Sequence, residues 1–350
     1  APIEDTPAAR AGVRAGDLII KIDEKPTKGM SLSEAVKLMR GKPKTSITLT
    51  ISRKGTPQPL VITIVRDIIR VQSVRSKILE PGIGYLRITQ FQEKTIENLV
   101  SHLLKLDAES RLEKLVLDLR NDPGGLLYGA VGVSAAFLPK DALVVSTNGR
   151  TEDARRKYFA TPEDYVRGRR EDLLDRLPQS IKSIPMVVLV NGGSASASEI
   201  VAGALQDHRR AVVLGTQTFG KGSVQTILPL SRTTAIKLTT ARYYTPSGRS
   251  IQAKGIAPDY LVEETPEGDV NRFRVREADL SGHLASESGT ETRSQPQPGQ
   301  EDTPPALRQI VFGSEDDHQL QQALNFLKGR PVAVAKTEAA AAASDTTTTR

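Results

Sequence analysis

The chain has no cysteine in its 350 residues, which excludes disulfide staples and thiolate-ligated metal sites. That absence suits a protein of an oxidising compartment that avoids stray pairing, but it suits many cytosolic proteins equally well and assigns no location. Histidine is scarce too, with only His102, His208, His283 and His318. None of the four falls in an H-E-x-x-H or comparable ligand spacing, so no metal centre is legible, and no cofactor is implied. The glycine-rich run Thr218 to Ser223 lacks the spacing of a phosphate-binding loop. No segment approaches the roughly 18 consecutive apolar residues of a membrane-spanning helix, and no signal-peptide pattern opens the chain. Excess charge of one sign is small: 48 basic against 41 acidic residues give +7, spread along the chain. A mixed solvated surface accounts for it, and no nucleic-acid partner is expected.

What is present suffices for two or three domains with a substantial apolar core. Leu18 to Asp23 reads as a strand, and Leu32, Ala35, Val36 and Met39 recur at helical spacing within 31–40. Ser46 to Ser52 alternates as a strand and Leu60 to Val65 follows as another, after a Gly-Thr-Pro-Gln-Pro turn. Further on, Gly84 to Phe91, a helical pattern over Lys94 to Leu106 and the apolar run Lys114 to Leu119 make a β-α-β unit, the mark of a parallel or mixed sheet. The expected fold class is therefore α/β (mixed α+β), with a small β-rich module in front.

Two segments carry the chemistry. Asn191 to Ile200 (NGGSASASEI) and Thr218 to Gln225 (TFGKGSVQ) place Ser196 and Lys221 25 residues apart. A serine hydroxyl needs a neighbour to take its proton, and a lysine can do so only as the neutral amine, a form that burial favours. Small Ala195, Ala197 and Ser198 would let a substrate backbone approach, and an apolar-faced helix begins at the serine. Asp118 to Gly125 (DLRNDPGG) ends a strand in a Pro-Gly-Gly turn whose amides can come close to a substrate oxygen.

With these motifs in this order, alongside Asp5 to Asp23, Ile83 to Phe91 and Thr240 to Asp259, residues 1 to 264 resemble the C-terminal processing (tail-specific) peptidases, Ser/Lys serine proteases that carry a PDZ domain. The resemblance implies a PDZ domain over 1–70 whose opening strand and carboxylate-binding loop would lie upstream of Ala1. A crotonase-like peptidase core over 71–264 would follow. It implies Ser196 as nucleophile, Lys221 as general base and then acid, and Gln225 as the amide that orients the lysine. It implies an oxyanion hole from the amides of Ala197 and of Gly125 or Gly124, and Asp207 as a supporting acidic position of structural character. Substrates would be proteins or peptides with exposed apolar C-termini. The implied location is the bacterial periplasm or cell envelope, with plastid relatives as the other setting. Self-association and a regulatory adaptor are compatible with the reading.

Ser194 and Ser198 are rival nucleophiles by position, and motif matching selects Ser196. A Ser-His-Asp triad has only the four histidines to draw on, and none is well placed; no G-x-S-x-G elbow is present either. A catalytically silent PDZ scaffold would keep the fold but lose part of the Ser196, Lys221 and glycine-loop set, and all three are present. A crotonase-like acyl-CoA enzyme could share the architecture without needing that pair. The charge-dense stretch at about 151–183 is expected as a helical insertion with a solvated face, or as a cap on the site. Residues 265–305 are expected to be a disordered linker and 306–330 a helical segment that docks on the core or self-associates. A low-complexity tail is expected at 331–350.

Overall fold

The alternating and helical patterns of the first 72 residues close into one small sheet with two helices. The computed structural model describes residues 6–14, 17–53, 55–69, 72–168, 171–266, 276–280, 282–285 and 311–334. It divides the chain into a first unit ending at Gln72 and a second beginning at Ser73. The first unit runs α1 (Pro7–Arg10), β1 (Leu18–Ile22), β2 (Lys25–Pro26), α2 (Leu32–Met39), β3 (Ser46–Ser52) and β4 (Leu60–Val65), with sheet order β2-β1-β3-β4. Alternation in β3 sends Ile47, Leu49 and Ile51 to the buried face, where Ile22, Ile64, Ala35 and Leu38 meet them. A capping box starts α2: Ser31 N–H donates to Glu34 Oε2 at 2.8 Å and Glu34 N–H to Ser31 Oγ at 3.3 Å. Arg66 closes the other end by donating to the Leu38 and Met39 carbonyls.

The second unit is built around a sheet of β5 (Val74–Glu80), β6 (Ile83–Ile88), β7 (Lys114–Asp118), β10 (Met186–Val190), β11 (Val212–Gly215) and β14 (Tyr260–Leu261), in the order β14-β11-β10-β7-β6-β5. All pairings are parallel except that of β5 with β6. The strands are apolar on both faces, as a parallel sheet covered on both sides requires. Helices α3 (Thr95–Glu109), α4 (Leu127–Phe137) and α6 (Ala197–Asp207) cover one face through Leu103, Val131, Val201 and Leu205, against Leu115, Leu117, Val188 and Val190. Helix α7 (His318–Leu327) covers the other, laying Leu320, Ala323, Leu324 and Leu327 on Val116, Val187, Leu189 and Leu214. A second, antiparallel sheet, β12 (Ser223–Pro229), β13 (Ala235–Tyr244), β8 (Leu143–Gly149) and β9 (Arg156–Phe159), follows the order β12-β13-β8-β9.

The charge-dense stretch is not a long helix. It forms β9, the single turn α5 (Pro162–Tyr165) and three short 3-10 turns, because Pro162, Gly168 and Pro178 interrupt helical propagation. Its charges are mostly solvated, while Tyr165, Leu177 and Ile181 anchor it in the core. Of the expected linker, residues 267–275, 281 and 286–305 lie outside the described residues, as does 335–350 of the tail. The described part of that linker is not a plain tether: Glu277 N–H donates to Phe219 O at 3.1 Å and Ala278 is buried.

A buried ion cluster fastens the C-terminal segment to the end of β7. Arg120 donates to both oxygens of Asp317 at 2.7 and 2.6 Å, to Asp118 Oδ2 at 2.6 Å and to Gln319 Oε1 at 3.0 Å. The Phe312 ring lies 4.4 Å from the guanidinium carbon. Burial pushes the Asp118 carboxyl up, but the Arg120 charge wins and holds it below the usual carboxylate range. Substituting Asp317→Ala removes half the counter-charge from a fully buried guanidinium. The second unit is expected to lose about 3 kcal/mol, read from the urea unfolding midpoint.

Candidate active site

The site forms where β7 and β10, adjacent and parallel, both end and their loops turn over the N-terminus of α6. This is the carboxyl edge of the sheet, where ligand sites of such folds gather. After β10 the chain makes a tight turn: Asn191 N–H donates to Ser194 Oγ at 3.0 Å, and Ser194 N–H to Asn191 O at 2.8 Å. Ser194 Oγ donates to Leu119 O at 2.8 Å and Ser198 Oγ to Asp122 O at 3.0 Å, both from buried positions. The two rival serines are therefore tied to backbone carbonyls, whereas Ser196 is only partly buried. Ser196 adopts φ +57° and ψ −111°, a conformation that L-residues reach only when their surroundings impose it, at a cost of about 1–3 kcal/mol.

What imposes it is Glu199, wholly buried one turn into α6. Its Oε2 accepts the Ser196 N–H at 2.7 Å and the Lys221 N–H at 2.9 Å. Its Oε1 accepts the Gly220 N–H and the Thr218 hydroxyl, each at 2.6 Å. One carboxylate oxygen thus holds the main chain of both residues paired from the sequence. Burial pushes the Glu199 carboxyl up to about 7, while the four donors favour its charged form. Sequence reasoning missed this residue, although Ser196 and Glu199 stand at S-x-x-E spacing before an apolar helix, the signature of a capping box.

The glycine turn stands directly against this arrangement. A Cβ on Gly124 would lie 2.5 Å from Ala195 O and 2.8 Å from Ala197 N, and one on Gly125 would lie 2.0 Å from Phe91 O, so only glycine fits at either place. Gly124 N–H donates to Asp122 Oδ1 at 2.8 Å and is engaged. Among the described residues the N–H groups of Gly125 and Ala197 have no hydrogen-bond partner. Of the two glycines expected at an oxyanion hole, Gly125 has the available amide.

Lys221 is half-buried, and among the described residues no hydrogen bond joins its side chain to Ser196 or Gln225. Gln225 is exposed on β12 opposite Thr239, next to an irregularity in the β12–β13 register. Asp207 ends α6, about 16 Å along the axis from its start. There it accepts the Ser247 N–H at 2.8 Å and pairs with Arg249, holding the 245–249 turn. Burial pushes its carboxyl up, but the Thr245 and Ser247 donors and the Arg249 charge together hold it below its ordinary range. His102 bonds the Ser76 hydroxyl and His208 the Leu143 carbonyl, both away from the turn. Among the described residues no group of three or more His, Asp and Glu could hold a metal ion.

Comparison with known proteins agrees with this architecture. The model of peptidase family S41 matches residues 82–262, and a PDZ-domain model matches residues 1–53. The carboxy-terminal-processing protease of Bartonella bacilliformis is 47% identical over 94% of this chain and 70% of its own length. The carboxyl-terminal-processing protease of Synechocystis sp. is 38% identical over 75% of this chain and 58% of its own. A solved structure of the photosystem II D1 C-terminal processing protease is 32% identical, with a TM-score of 0.53 over 75% of this chain and 67% of that one. The chain belongs to peptidase family S41. Within that family it is similar to the carboxyl-terminal-processing serine proteases, and it spans a little over half of the Synechocystis relative.

Replacing Glu199 with glutamine puts an amide NH2 where two donors now point. Glu199→Gln is expected to lower stability by about 1–3 kcal/mol, read from denaturant unfolding. Peptide-cleavage assays are expected to show a lower kcat with a smaller change in KM, because the turn that carries Ser196 loosens while remote substrate contacts persist.

Proposed function

We propose that this chain is an endopeptidase that cleaves proteins bearing exposed apolar C-terminal tails through an acyl-enzyme on Ser196. The observation that carries the reading is the shared Glu199 oxygen, which fixes Ser196 and Lys221 beside two unengaged amides. Lys221, in its neutral form, takes the Ser196 Oγ proton as Oγ bonds the scissile carbonyl carbon. The Gly125 and Ala197 N–H groups receive the developing oxyanion; one such donor is typically worth about 3–4 kcal/mol in the transition state. The intermediate collapses as the ammonium of Lys221 returns its proton to the departing amine. Water, deprotonated by Lys221, then hydrolyses the ester and restores the serine. Gln225 orients the lysine when the site closes on substrate, and Asp207 acts through the turn that it holds.

The tail would add as a strand to the edge of a sheet in the PDZ domain, with alternate side chains in apolar pockets. The envelope or periplasmic location that the sequence resemblance implies, with a plastid as the other setting, belongs to the same proposal. Self-association and an adaptor belong to the same proposal. A silent scaffold would have no need of the strained turn at Ser196, and an acyl-CoA enzyme no need of the lysine.

Mass spectrometry of a loosely folded substrate with an apolar C-terminus tests the reading. The unaltered chain is expected to cut it, with Ser196→Ala and Lys221→Ala each reducing the rate at least ~1,000-fold. Cleavage that survives both substitutions overturns the Ser/Lys assignment.

A further inference from the structure

Asp122 is a buried acid that the mechanism above does not use. It precedes Pro123-Gly124-Gly125 and is wholly inaccessible to solvent. Two of its oxygens, through three hydrogen bonds, knit the glycine turn to the nucleophile turn. Oδ1 accepts the Gly124 N–H at 2.8 Å, and the main-chain carbonyl accepts the Ala195 N–H at 2.9 Å and the Ser198 hydroxyl at 3.0 Å. The remaining carboxyl oxygen, Oδ2, is buried and has no hydrogen-bond partner among the described residues.

The surroundings offer an ionised Asp122 little. From β6 the Arg87 charge favours ionisation, and from β7 the Asp118 carboxylate opposes it. Helix α6 presents the Ser198 hydroxyl, with Glu199 and Lys221 as the other titratable groups of the site. Burial dominates and pushes the Asp122 carboxyl up to about 8, against the Gly124 amide, the Ser198 hydroxyl and Arg87. An acid left with one oxygen unpaired in an apolar setting takes a proton rather than carry an unpaired charge.

We propose that Asp122 works as a neutral carboxylic acid, a positioning residue that holds the Gly124–Gly125 turn against Ser196 and fails in that role when it ionises. This rests on the peptidase reading. The transition state places negative charge at the Gly125 and Ala197 amides, and a second negative charge in the same loop repels it in a site with little solvent to screen the two. The enzyme thereby acquires an alkaline limit that belongs to the oxyanion loop and not to the nucleophile or its base.

Asp122→Asn keeps the shape and the Oδ1 acceptor but cannot ionise. Two measurements on the whole chain test the proposal. First, kcat/KM for an unfolded peptide is followed from pH 6 to 9.5, each protein normalised to its value at pH 7. The Asn variant is expected to exceed the unaltered chain at least ~10-fold at the alkaline end. Second, thermal unfolding is followed across the same series extended to pH 4. An acid whose pKa is raised in the folded state stabilises fully below its unfolded pKa and loses that contribution as pH rises through the folded value. The unaltered chain should therefore lose melting temperature between about pH 4 and 8 more steeply than Asp122→Asn. Identical alkaline limbs, or superimposable melting trends, overturn the proposal. If neither protein cleaves at any pH, the peptidase reading fails by itself, and the melting trends still decide whether Asp122 is held neutral.

Discussion

Much of this site hangs on the carboxylate of Glu199. It is the shared acceptor for the nucleophile turn and the lysine segment, two stretches of chain that reach it from different strands. Charge-assisted bonds of this kind are worth about 1.5–3 kcal/mol each, and together they offset much of the penalty of stripping a carboxylate of water. Burial still outweighs the four donors, and it pushes the carboxyl up. A carboxylate that holds four donors in place also fixes three backbone positions, Ser196, Gly220 and Lys221, and the Thr218 side chain. That lets Ser196 keep a conformation that it would abandon in an isolated peptide.

The sheet supplies the second constraint. Because β7 and β10 are neighbours and parallel, their ends deliver the glycine turn and the serine turn side by side, and the Leu119 N–H continues the ladder to Leu189 O at 2.9 Å beyond the assigned strand. Buried apolar layers on both faces leave the strands little room to shift in register, so these turns start from fixed points. Arg120 lies one residue past that ladder and joins it to the C-terminal segment. The glycine turn is therefore held from below by the sheet, from one side by α6 and at its root by an element distant in sequence.

The parts of this arrangement that were legible in the sequence were the periodic ones. Alternation in 46–52 and the β-α-β rhythm of 83–119 identify β3, β6, α3 and β7, since period two and period 3.6 are imposed by the faces that must be buried. Ser196 and Lys221 stood out because their motifs are long. Glu199 did not, although its spacing was visible, because a glutamate on a helix reads as a solvated residue until its burial is known. Asp122 and Arg120 were hidden for the same reason: charge in a sequence carries no label for depth. The 151–183 stretch misled in the opposite direction, its charges suggesting a helix where the prolines decide in favour of turns and an edge strand.

The Arg120–Asp317 contact joins residues 197 positions apart, and α7 closes the second face of the sheet only from beyond that point. During synthesis the sheet and both active-site turns therefore emerge well before the helix that covers them. Until α7 docks, an apolar face bearing Val116, Val187, Leu189 and Leu214 is open to water, and a guanidinium at the root of the glycine turn lacks half of its counter-charge. Closing so long a loop is slow on the timescale of local folding. The order of chain growth thus withholds a settled glycine turn from a nascent chain until a stage when most of the core is already in place.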